Sequence, residues 1–62
     1  MENKKVGYML FNQNNNPCFE SFSHYRKNTT NFFMKEFAYS WNDIKQWGWT
    51  CKKVEIIVKE IN

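Results

Sequence analysis

Two segments of this chain alternate with the two-residue period of a β-strand yet are apolar in both phases. In Lys5 to Phe11, Val6, Tyr8 and Leu10 alternate with Gly7, Met9 and Phe11; near the C-terminus Val54, Ile56 and Val58 alternate with Glu55, Ile57 and Lys59. Strands of this kind need cover on both faces. A chain of 62 residues has little with which to provide it, because it stands near the lower limit for building a hydrophobic core without staples. The six Phe, three Tyr and three Trp residues offset part of that deficit. Each aromatic ring can bury roughly 150 to 250 Å². One folded α+β domain over residues 1–62 is the expectation.

Between the two strands the order of elements can be read from turn and cap chemistry. The run Asn12 to Pro17 suits a hairpin loop, because Asn tolerates left-handed backbone and Pro cannot donate to a ladder. Cys18 to Tyr25, rich in aromatic residues and poor in helix formers, predicts the second strand. Asn28, Thr29 and Thr30 offer helix caps. Behind them Phe33, Met34, Phe37, Ala38, Trp41 and Ile44 gather on one side of a helical wheel. This predicts a helix from about Asn31 to Trp47, with Gly48 as its stop. The resulting fold is β-β-α-β: an antiparallel sheet of three strands with one amphipathic helix on one face. The alternative is β-β-β-α-β. There Phe32 to Tyr39 forms a further strand and Ser40-x-x-Asp43 caps a short helix at Trp41–Trp47.

The chemistry-bearing residues do not assemble into a known catalytic pattern. Cys18, His24 and Cys51, with Glu20, lack the spacing of a metal site, and the glycines Gly7 and Gly48 form no phosphate loop. No paired carboxylates or nucleophile with base stand out, so neither an enzyme activity nor a cofactor or metal is expected. Cys18 and Cys51 are read as reduced thiols. No apolar run approaches the roughly 20 residues that span a bilayer, and a cytoplasmic location in a bacterial host is expected. The abundance of Phe, Tyr, Met, Ile, Asn and Lys over Gly, Ala, Arg and Pro suggests an AT-rich coding sequence.

Binding is therefore the function class that the sequence favours. If Val6, Tyr8, Leu10, Val54, Ile56 and Val58 face the helix, then Met9, Phe11 and Ile57 face outward. These three, with Trp49, form the expected apolar patch for a protein partner or a second copy in a homodimer. Either Phe19 with Tyr25 or Phe22 with His24 would extend the patch. The net charge is +3, and Lys4, Lys5, Arg26, Lys27 and Lys59 are expected to gather beside the helix N-terminus as a site for an anion or an acidic surface. A small phage or mobile-element inhibitor, such as an anti-CRISPR-like inhibitor of a defence nuclease, is the leading expectation. A nucleic-acid-binding protein that uses the basic edge and aromatic stacking is the alternative.

Overall fold

A computed structural model describes residues 3–61 and has the expected α+β class. Among the described residues β1 (Asn3–Phe11), β2 (Pro17–Ser23) and β3 (Thr50–Val58) form one antiparallel sheet in the order β2-β1-β3. Three short helices, α1 (Arg26–Thr30), α2 (Phe32–Phe37) and α3 (Trp41–Gln46), connect β2 to β3.

The first hairpin is closed by Asn12. Its side-chain oxygen accepts from the backbone N–H of Asn14 and of Asn16, each at 2.9 Å, and Asn15 takes the left-handed conformation at φ 64°. A bulge then interrupts the β1–β2 ladder: Tyr8 pairs with Ser23 and Leu10 with Cys18, so two steps along β1 oppose five along β2. Two hydroxyls replace the missing ladder bonds. Ser21 Oγ accepts from Leu10 N–H at 2.9 Å and donates to the Cys18 carbonyl at 2.6 Å. Thr29 Oγ1 donates to the Tyr8 carbonyl at 3.1 Å. Asn28, Thr29 and Thr30, expected as caps, thus lie inside α1, and Thr29 ties that helix to the centre of the sheet.

The single long helix from Asn31 to Trp47 is replaced by α2 and α3. Ala38, at φ 60°, ends α2 with bonds from Ala38 N–H to the Met34 carbonyl and from Tyr39 N–H to the Phe33 carbonyl. Ser40 then opens α3 with a capping box: Ser40 Oγ accepts from Asp43 N–H at 3.2 Å, and the Asp43 carboxylate accepts from Ser40 N–H at 3.0 Å. The short helix of the β-β-β-α-β alternative is therefore present. Its extra strand is not, because Phe32–Phe37 is helical.

The register of β3 also departs from the expected division of faces. Val54 stands opposite Gly7, Ile56 opposite Lys5 and Val58 opposite Asn3, while Cys51, Lys53 and Glu55 stand opposite Leu10, Tyr8 and Val6. Directly opposed residues share a face. Val54, Ile56 and Val58 thus lie on the face away from Val6, Tyr8 and Leu10, and Ile57 shares theirs. With apolar residues in both phases, periodicity alone could not choose between these arrangements.

Burial is concentrated where β1 passes beneath the bulge and the helices. Leu10, Met9 and Ile44 are the buried hydrophobic residues, joined by Ser21, Thr29 and Thr30. Gly7 is required at its position, since a methyl group there would stand 2.7 Å from the Phe22 ring and closer still to the Ser23 carbonyl.

Candidate functional site: an aromatic cleft between the helices and the third strand

The break between α2 and α3 turns the chain so that aromatic rings from four segments surround one opening. Phe33 and Phe37 come from α2, Tyr39 from the turn, Trp47 from the end of α3 and Trp49 from the approach to β3, and Ile44 also lines the opening. The cleft has a volume of about 380 Å³. That is enough for one or two side chains of another molecule, at the lower end of ligand-site volumes.

Its walls are braced by ring contacts. Phe33 meets Trp49 edge to face at 5.1 Å between centroids, and Tyr39 meets Trp47 edge to face at 5.0 Å. Phe37 links the two pairs, lying 5.9 Å from Phe33 and 6.2 Å from Tyr39. Contacts of this geometry add stabilisation beyond area burial. The rings nevertheless keep much surface in water: Phe37 is 60% exposed and Trp47 51%. An apolar concavity with a buried isoleucine on its wall and large exposed rings on its rim is the form in which protein interfaces seat an anchor residue.

Of the apolar patch expected from sequence, only Trp49 belongs to this cleft. Met9 is 3% exposed and has no surface to offer a partner, because both faces of the sheet are covered where it lies. Phe11 is half-buried with the Lys52 ammonium 4.8 Å from its ring centroid. Ile57 is exposed, far along β3. Of the residues expected to extend it, Phe19 in β2 and Tyr25 just beyond that strand are each 70% exposed, whereas Phe22 packs over Gly7, in the same phase of β1 as Met9, and touches His24 edge to face.

The basic cluster is divided. Lys4 and Lys5 lie on the outer half of β1, with Lys59 just beyond β3 at the same end, and Lys4 pairs with Glu55 at 3.8 Å. Arg26 instead sits over the Trp41 ring, 5.9 Å from its centroid, and its charge acts on Cys51, which pairs with Leu10. Six strand positions, about 20 Å, separate Leu10 from Lys4. Arg26 and its neighbour Lys27 open α1, so the N-terminus of that helix lies with Arg26 and away from Lys4.

Cys18 and Cys51 flank Leu10 on either side, in β2 and β3. Two strand spacings, about 10 Å, separate their backbones, too far for a disulfide. Burial pushes both thiols above their ordinary value. Among the described residues no three His, Cys, Asp or Glu side chains come together to hold a metal ion, and no helix is long and apolar enough to cross a membrane.

The sequence signal for the cleft was the density of aromatics between Phe32 and Trp49. On a continuous helical wheel Tyr39 falls on the polar side and Trp47 outside the apolar sector; only the turn at Ala38 to Ser40 brings them to Phe37. Comparison with protein-family models, with curated proteins and with solved structures finds no match.

Proposed function

We propose that the protein is a non-enzymatic protein-binding module that seats an apolar anchor side chain of a larger partner protein in the aromatic cleft. The observation that carries this reading is the exposure of Phe37 and Trp47 on the rim of a cavity of about 380 Å³. Two rings left in water forgo burial that a domain with so small a core could use, and a partner would supply that burial. Edge-to-face packing of Phe33 with Trp49 and of Tyr39 with Trp47 engages those rings with one another, which suits a side-chain pocket better than a flat platform for stacked bases. An inhibitor carried by a phage or mobile element, directed at a host defence nuclease, is the finer form of this proposal. It draws on the small size and the AT-rich composition.

The test is capture from lysates of low-GC bacteria, comparing the unmodified protein with a Phe37→Ser/Trp47→Ser variant whose circular dichroism shows it folded. One stoichiometric protein retained by the first and lost by the second is expected. Equal capture by both would remove the cleft from the interaction. Binding to labelled DNA or RNA that strengthens as salt falls would move the function to the nucleic-acid class.

A further inference from the structure

The outer edge of β3 carries a pattern that the cleft does not use. On β1, Val6, Tyr8 and Leu10 turn their backbone polar groups toward β2: Leu10 N–H donates to Ser21 Oγ, the Tyr8 carbonyl accepts from Thr29, and the Val6 carbonyl lies 3.3 Å from His24 Nδ1. Strand backbones alternate, so Lys5, Gly7 and Met9 turn theirs toward β3 and meet Ile56, Val54 and Lys52. It follows that Cys51, Lys53, Glu55 and Ile57 direct their N–H and C=O groups away from the sheet. β3 is an end strand in the order β2-β1-β3, and among the described residues no turn, loop or helix backbone bonds to residues 51–58.

This edge lacks most of the devices that discourage strand pairing. Thr50–Val58 contains neither proline nor glycine, and its register with β1 runs from Asn3 to Phe11 without a shift. Its charges, moreover, are arranged for one self-pairing. An antiparallel pair must match outward residues with outward residues, so the two-fold centre moves along β3 one residue at a time. Centred on Lys53, the pairing opposes two ammonium groups; centred on Glu55, it opposes two carboxylates. Centred on Val54, it sets Lys53 against Glu55 of the second copy twice over and Cys51 against Ile57, which is half-exposed in the single chain. Directly opposed opposite charges favour an antiparallel pair, and like charges disfavour it.

We propose that β3 pairs with β3 of a second copy, antiparallel and centred on Val54, so that the two sheets become one. The interface is independent of what occupies the aromatic cleft. Sedimentation of the unmodified chain over a hundredfold concentration range is expected to show a monomer–dimer equilibrium. Glu55→Lys and Lys53→Glu, each introducing two like-charge contacts between the copies, should each weaken the dimer about tenfold, and Glu55→Lys also gives up the pair with Lys4 within its own chain. The combined Lys53→Glu/Glu55→Lys chain should recover it, because the exchange restores both pairs, and circular dichroism of each variant controls for folding. In the dimer, amide exchange should slow at Cys51, Lys53, Glu55 and Ile57. A monomer at every concentration would overturn the proposal, as would a dimer that the single charge reversals leave unchanged or that the double exchange fails to restore.

Discussion

Ser21 holds together the most irregular point of the sheet through one hydroxyl. It is buried, accepts from Leu10 N–H and donates to the Cys18 carbonyl, doing the work of the ladder that the bulge removes. Ser21→Ala leaves the Leu10 N–H buried without an acceptor, and a loss of about 1 to 3 kcal/mol is expected in urea unfolding. A change within experimental error would mean that the ladder reforms without the hydroxyl. The two thiols beside Leu10 supply a second test. Desolvation by burial is the largest cause raising each above the ordinary value of 9.0. The unfolded chain therefore releases these protons first. The associated stability is full below the unfolded value and is lost as pH rises through the higher folded values. Urea midpoints should fall across that alkaline window, and the fall should be shallower in a Cys18→Ala/Cys51→Ala chain.

At the scale of elements, what could be read from sequence were features whose residues carry their own geometry. The strands, the Asn-rich hairpin loop and the Ser40-x-x-Asp43 capping box follow from period two, from Asn in left-handed backbone and from side chains that bond nearby N–H groups. Two elements were hidden for physical reasons. The bulge depends on the Ser21 hydroxyl reaching Leu10, eleven residues away in sequence, which no local pattern records. The end of α2 depends on Ala38 adopting φ 60°, a conformation that alanine disfavours. Phe33 to Ile44 therefore reads as one helix by periodicity while folding as two. The same cause hid half of the cleft, since Tyr39 and Trp47 reach it only through that turn. Ala38→Gly should relieve the left-handed strain by about 1 to 2 kcal/mol and return up to about 1 kcal/mol of it through greater freedom in the unfolded chain. A small rise in melting temperature is the expected result, and a fall would show that the αL turn does not strain this chain.

For the molecule as a whole, the sheet is longer than what covers it. The extents are 40 × 22 × 19 Å, and β2 ends at Ser23, opposite Tyr8, so the outer half of β1 pairs with β3 alone. Val6, Ile57 and Val58 are about half-exposed there, whereas Leu10 and Met9 beneath the bulge and the helices are almost wholly buried. A two-stranded ribbon has little independent stability in water. Local opening should therefore be graded along β1, from near the global unfolding free energy at Met9 to much less at Lys5. These two amides point the same way, toward Lys52 and Ile56, so a comparison between them is not confounded by which neighbour accepts the bond. Native-state hydrogen exchange at low protein concentration, where self-association is negligible, should find Lys5 exchanging about tenfold or more faster than Met9 after correction for intrinsic rates. Equal protection would require the ribbon to open only with the core, and it would locate more of the stability in the β1–β3 pairing than its exposed side chains can supply.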